Sequence, residues 1–166
     1  KAAFAGALTA VLLVAGAVAL LTGARSIEGP VAASRAAAPP MTAKSASRQQ
    51  FLLSEGVPAP YGGRRNGLRR SVGNLIEGAR LYDLNCAACH GTMGIGDGVA
   101  GEDLATAPAD LAASLADQRH GDDYFLWTMA EGGQRFGTDM PAYKNDLSEQ
   151  DMWRIMVFLR AVIDES

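Results

Sequence analysis

Residues 86–90 read Cys-Ala-Ala-Cys-His, and this pentapeptide constrains the fold more than any other feature of the chain. Its two thiols are spaced to add across the two vinyl groups of one haem, and the histidine that follows is placed to ligate the iron. The chain has only two cysteines, which excludes a disulfide framework and a four-cysteine zinc or iron–sulfur site. The pentapeptide therefore predicts one covalently bound haem c, attached through Cys86 and Cys89 and ligated by His90.

Two other uses of a Cys-x-x-Cys pair fit the sequence less well. A thioredoxin-like redox pair opens a helix after a strand, and the chain has no β-branched runs typical of strands. A zinc site needs two further ligands, and His120 is the only other histidine. We therefore interpret the pentapeptide as a haem attachment site.

A haem iron held by His90 needs a sixth ligand or keeps an open position, and methionine is a common partner in electron-transfer proteins. Met140 lies in a loop between two helical patterns, directly before Pro141, which restricts Met140 to an extended conformation. Because a rigid loop holds a thioether in place, we predict Met140 as the sixth ligand. Met129 is the second candidate, but it falls inside a helical pattern where a core role is favoured.

Residues 71–166 resemble the class I c-type cytochromes. In that family a first helix carries a glycine and an aromatic residue one turn apart, matched here by Gly78 and Tyr82, and it packs against a C-terminal helix, matched by residues 153–159. The resemblance implies an all-α, monohaem cytochrome c domain that transfers one electron. It also implies that a proline carbonyl accepts the imidazole proton, and Pro108 is the match.

Apolar spacing predicts three helices in this domain, over residues 74–85, 122–131 and 149–162. Gly132 and Gly133 stop the second helix, and Ser148 with Asp151 forms a variant capping box before the third. The glycines between residues 91 and 101 predict a backbone folded tightly at a haem edge. A phosphate loop is excluded, because no strand precedes these glycines and no Gly-Lys-Ser/Thr follows them.

Four further residues are candidates to contact the haem or its propionates: Tyr143, Arg135, Thr138 and Trp127. For the aromatic residues, plain core packing is an equally open interpretation. For Arg135, a solvated surface position is equally open.

Residues 2–22 contain no charged side chain. As a helix they would span about 31 Å, close to the thickness of a bilayer core, and they predict one transmembrane anchor. A cleaved secretory signal ending near residues 17–19 is the rival interpretation, but we expect a retained anchor. Because haem c is attached on the outer side of the bacterial inner membrane, we expect a single-pass protein there, with its haem domain in the periplasm.

Residues 23–70 form a Pro/Ala/Arg-rich segment without a sustained amphipathic pattern. They are either a free leash or an arm that lies along a partner subunit. Phe51 and Tyr61 are apolar residues that a leash does not need, so we favour the arm.

Charge divides the chain sharply. Residues 71–166 contain sixteen acidic and six basic residues, whereas residues 1–70 contain two acidic and nine basic ones. The acidic domain predicts a basic docking surface on a membrane-embedded redox partner, although a generic solubilising surface remains open. The arginines at positions 64, 65, 69 and 70 favour contact with anionic lipid or an acidic subunit. The compartment excludes nucleic acid.

We therefore expect a haem subunit of a respiratory or photosynthetic membrane oxidoreductase, not catalytic on its own. One alternative is a free tethered shuttle between a quinol-oxidising complex and an oxidase or reaction centre. The other is a peroxidase-type haem enzyme, for which His120 is the only candidate base. We expect His120 to face solvent.

Overall fold

The computed structural model describes residues 43–164 of the chain. The anchor predicted over residues 2–22 and the first part of the arm predicted over residues 23–70 lie outside this range. Within the range, every helix is too short or too polar to cross a bilayer.

The described residues form α-helices and two 3₁₀ turns, and no strand occurs between residues 43 and 164. The all-α prediction is therefore confirmed for this part of the chain. The helices are α1 (Ala43–Glu55), α2 (Val72–Asn85), α3 (Ala87–His90), α4 (Leu111–Ala116), α5 (Asp122–Glu131) and α6 (Glu149–Asp164), and the 3₁₀ turns are Val99–Gly101 and Gln134–Phe136.

The three helices predicted from apolar spacing correspond to α2, α5 and α6, with ends that agree within two residues. The hydroxyl of Ser71 caps α2 by accepting a hydrogen bond from the backbone N–H of Asn74 at 3.3 Å. At the start of α6, the Ser148 hydroxyl accepts from the Asp151 N–H at 3.1 Å, and the Ser148 N–H donates to the Asp151 carboxylate at 3.3 Å. This reciprocal pair is the predicted capping box.

Helices α2 and α6 cross in direct backbone contact at Gly78. A Cβ atom at this position would lie only 2.1 Å from the carbonyl oxygen of Arg154. One turn further along α2, the ring of Tyr82 lies 5.5 Å from that of Phe158. The glycine and aromatic pair predicted from the sequence therefore forms the crossing of the two main helices.

The described part of the predicted arm packs on the haem domain of the same chain. The ring of Phe51 in α1 lies 5.7 Å from the ring of Trp127 in α5, and 5.7 Å from that of Phe136. The Tyr61 hydroxyl donates to the Glu131 carboxylate at 2.6 Å. Phe51 and Tyr61 thus contact apolar and acidic groups of the chain's own domain, and an arm that lies along a partner subunit stays a prediction.

Residues that follow α1 also contact acidic side chains of the domain. Arg64 forms an ion pair with Glu149, and the Asn66 N–H donates to the Asp122 carboxylate at 3.0 Å. Arg64 therefore has a carboxylate partner within the chain, and its contact with lipid or an acidic subunit stays a prediction. Both side chains of the Arg64 pair are largely exposed, so water screens the pair and it contributes at most about 1 kcal/mol.

Replacing Gly78 with Ala should lower the free energy of unfolding by about 2 kcal/mol or more, because the new methyl group forces α2 and α6 apart. Urea denaturation of the haem-loaded protein measures this loss. Gly73→Ala is the matched control in the same helix, since a Cβ there meets no atom within 4 Å. The control should keep or slightly raise stability, and equal stability of Gly78→Ala and the unaltered protein would contradict the close crossing.

Candidate haem site

A cavity of about 230 Å³ brings together the residues predicted to hold the haem. Cys86, Cys89, His90 and Met140 all line it. Most of the remaining lining is apolar and comes from α5, α6 and the chain that follows α3. One cavity therefore receives both thiols, the imidazole and the thioether that sequence reasoning assigned to one cofactor.

The haem motif continues directly from α2. The Cys86 N–H donates to the Tyr82 carbonyl at 2.8 Å, and the His90 N–H donates to the Cys86 carbonyl at 2.9 Å. The motif thus forms one tight helical turn, α3, after the end of α2. The buried Tyr82 hydroxyl donates to the Gly91 carbonyl at 2.6 Å, which ties the end of this turn back to α2.

The glycine-rich segment after the motif folds back onto it, as predicted. The Gly96 N–H donates to the His90 carbonyl at 2.9 Å, and the Gly98 N–H donates to the Cys89 carbonyl at 3.1 Å. Further along, the Leu111 N–H donates to the Gly94 carbonyl at 2.7 Å. These bonds hold the backbone of residues 91–111 against the motif.

The imidazole of His90 is oriented by Ala109, and not by Pro108 as predicted. Nδ1 of His90 lies 3.0 Å from the Ala109 carbonyl oxygen, which only accepts, so Nδ1 carries the proton and Nε2 keeps its lone pair. Neighbouring carbonyls of an extended segment point in opposite directions. The Pro108 carbonyl is turned to Gly96 instead, 2.6 Å from where a Cβ of that glycine would lie. Pro108 still lines the cavity.

Burial shifts the pKa values of both the predicted iron ligand His90 and the predicted attachment residue Cys86. It lowers the pKa of His90, which favours the neutral imidazole that binds metals. It raises the pKa of Cys86 to about 12. A redox-active Cys-x-x-Cys pair needs a thiol with a lowered pKa, so the environment of Cys86 argues against a thioredoxin-like role.

Met140 lies on a loop that is fixed to the end of α5. The Gly133 N–H donates to the Met140 carbonyl at 2.8 Å, and the Tyr143 N–H donates to the Met129 carbonyl at 3.0 Å. The Tyr143 hydroxyl donates to the Asn85 carbonyl at 2.5 Å, which joins the loop to the residue before Cys86. Met140 and Tyr143 both line the cavity, as does Thr138.

Two of the candidate haem contacts, Arg135 and Trp127, do not line the cavity, and for each the alternative that the sequence left open holds. The guanidinium carbon of Arg135 lies 4.5 Å from the ring centre of Phe51, and Arg135 does not line the cavity. Trp127 is buried in the core among aromatic rings, and it does not line the cavity either. Arg135 is drawn away because two aromatic faces offer it a cation–π contact.

His120 does not face solvent as expected. Its side chain is only 10% exposed, and its ring stacks on that of Tyr124 at 3.9 Å. Nδ1 lies 3.0 Å from the Ser114 carbonyl, and Nε2 lies 3.2 Å from the Gln49 side-chain oxygen. Both ring nitrogens are engaged away from the cavity, so His120 is not placed as a base beside an iron.

Among the polar residues that line the cavity, sequence reasoning missed the two that are buried, Arg48 and Thr106. Nothing in the sequence indicates these positions, because Arg48 lies in a polar stretch without apolar periodicity and Thr106 lies in an irregular segment.

The donor set fits haem c. The cavity offers paired thiols for covalent attachment, an imidazole whose Nε2 is available, a thioether on a fixed loop and a predominantly apolar lining. These are the groups that attach such a cofactor, ligate its iron and exclude water from it.

Replacing Cys86 and Cys89 together with Ser should abolish covalent haem, because no thiol remains to add to the vinyl groups. Haem staining of the protein on a denaturing gel measures the attachment. Met93→Ala is the control, since Met93 lies close to the motif in sequence but is half exposed, and it should keep the stain. A haem–protein bond that survives in the double variant would contradict the attachment site.

Comparison with known proteins agrees with this geometry. Residues 73–159, about half of the chain, match the family described as cytochrome c oxidase, cbb3-type, subunit III. Among solved structures, the reducing HAO-like protein complex of Kuenenia stuttgartiensis matches with a TM-score of 0.50 and 21% identity, over 68% of this chain and 54% of that one. At this identity the likeness shows the fold alone. No curated protein gives a significant match. The chain is a c-type cytochrome with covalently bound haem c, and it belongs to the cbb3-type cytochrome c oxidase subunit III family.

Proposed function

We propose that this protein transfers single electrons as a haem subunit of a membrane-bound terminal oxidase. The convergence of Cys86, Cys89, His90 and Met140 on one cavity carries the proposal. When bound there, haem c supplies a one-electron redox centre. The family match supports an oxidase as the assembly that receives the electrons.

Met140 would supply the second protein ligand to the haem iron. Three methionines line the cavity, but Met129 and Met156 belong to α5 and α6 and are buried in the core. Met140 belongs to the loop that Gly133 and Tyr143 attach to α5. A loop fixed at both sides keeps the thioether in place in both oxidation states, so that little has to move when an electron arrives or leaves.

The membrane location belongs to the same proposal. Residues 2–22 anchor the protein in the bacterial inner membrane and leave the haem domain in the periplasm. The acidic domain then docks on a basic surface of the oxidase, which accelerates association at low salt. The peroxidase alternative loses its only candidate base, because both nitrogens of His120 are engaged elsewhere.

Replacing Met140 with Ala should open the iron to external ligands and lower the midpoint potential by at least about 0.1 V, part of the ~0.8 V that axial ligands span. Carbon monoxide binding to the ferrous protein and a potentiometric titration measure the two effects. Met129→Leu is the matched control, since Met129 also lines the cavity, and it should leave both unchanged. If Met140→Ala binds no carbon monoxide and keeps its potential, another residue is the ligand.

Co-purification tests the assignment to an oxidase. Membranes extracted in mild detergent should yield this chain in fixed stoichiometry with a larger assembly that contains haem or copper and reduces oxygen. Recovery of the chain alone, with its haem, would contradict the subunit proposal and favour the tethered shuttle. Salt-dependent reduction kinetics would then identify the basic partner.

A further inference from the structure

We propose that Arg48 of helix α1 binds a propionate carboxylate of the haem, so that a segment preceding the family-matched residues completes the cofactor site. This inference rests on the proposed haem site and deepens it. The family match begins at residue 73, whereas α1 ends at Glu55. The proposed role therefore falls on a residue outside the family-matched range.

Arg48 is a buried cation without a described counter-ion. Only 9% of the residue is exposed, and its guanidinium carbon lies 4.8 Å from the ring centre of Phe136 and 5.2 Å from that of Trp127. Its hydrogen bonds go to neutral oxygens, the Thr128 hydroxyl at 2.8 Å and the Gly132 carbonyl at 2.5 Å. A buried charge is costly unless an opposite charge joins it. An anion bound next to Arg48 would therefore lower the cost of burying its charge.

The guanidinium retains donors for such an anion. Arginine has five N–H donors in a planar fork that matches a carboxylate. The bonds to Thr128 and Gly132 engage one Nη1 donor and one Nη2 donor, and no carboxylate of the described chain contacts Arg48. Asp139 also lines the cavity, but it is exposed and makes no described bond to Arg48.

The cofactor assigned to this cavity, haem c, carries two propionate carboxylates. Cys86 and Cys89 would hold the haem through its vinyl groups, and the propionates are substituents on the other side of the same ring. Arg48 lines the same cavity, and its described hydrogen bonds go to Thr128 and Gly132 at the C-terminal end of α5 rather than to the haem motif. Among the described residues that line the cavity, it is also the only lysine or arginine.

Thr106 provides a second, independent observation. It is 8% exposed and lines the same cavity, and its hydroxyl oxygen is buried without a hydrogen-bond partner among the described residues. Buried hydroxyls are rarely left unsatisfied. A carboxylate in the cavity would accept a hydrogen bond from this hydroxyl as well as the stronger, charge-assisted bonds from the guanidinium.

The test compares Arg48→Gln with Arg135→Gln in the full, haem-loaded protein. Arg135 is the matched control, because its guanidinium also packs over Phe136, at 5.6 Å, but does not line the cavity. The readouts are the midpoint potential and the propionate bending band in the resonance Raman spectrum. A cation near the iron disfavours the more positive ferric state. Arg48→Gln should therefore lower the potential and shift the propionate band, while Arg135→Gln changes neither.

Unchanged potential and an unchanged propionate band in Arg48→Gln would overturn the proposal and leave Arg48 a structural residue. Both readouts are taken on variants that hold covalent haem and do not bind carbon monoxide, which separates this failure from a failure of the iron-ligand assignment.

If Arg48→Gln loads no haem, the Arg48→Lys variant decides the question. Lysine keeps the charge but loses the fork, so it should retain the potential and shift the band. A wild-type band in Arg48→Lys would overturn the proposal.

Discussion

The backbone contact between α2 and α6 at Gly78 is the constraint on which the haem site depends. Because Cys86 directly follows α2 and its N–H bonds to the Tyr82 carbonyl of that helix, the crossing fixes where the haem motif begins. Beyond the crossing, α6 contributes Ile155, Met156 and Leu159 to the cavity wall. One close approach of two helices therefore positions both the covalent attachment point and the apolar surface that receives the cofactor.

The N-terminal extension adds a second layer to this arrangement. The strong charge split of the sequence is met in part within the chain, where Arg64 pairs with Glu149 and the backbone at Asn66 reaches Asp122. Phe51 of helix α1 packs on the aromatic side chain of Trp127 in α5. Arg48 of the same helix lines the cavity. A segment that reads as a linker by composition thus serves as a cover for the domain.

Local signals explain which features were predictable. The helices α2, α5 and α6 follow from apolar spacing and end signals, and the convergence of Cys86, Cys89 and His90 follows from a motif whose spacing the chemistry demands. The placement of Met140 at the cavity was predictable because Pro141 marks a rigid loop. Each of these features depends on residues that are neighbours in sequence.

The features that escaped prediction depend on contacts between distant residues. Helix α1 carries no sustained apolar stripe, and its position depends on single contacts such as that of Phe51 with Trp127. The sequence shows where the arginines occur, but it does not show that Arg48 lines the cavity and Arg135 does not. The choice between the Pro108 and Ala109 carbonyls depends on backbone torsions that no side-chain pattern encodes.

X-ray absorption at the iron edge of the purified, haem-loaded protein tests whether Met140 ligates the iron. We expect one sulfur ligand at bonding distance from the iron in both the ferric and the ferrous states. A spectrum without a sulfur scatterer, or one in which the sulfur is lost on reduction, would contradict an electron-transfer site built from His90 and Met140.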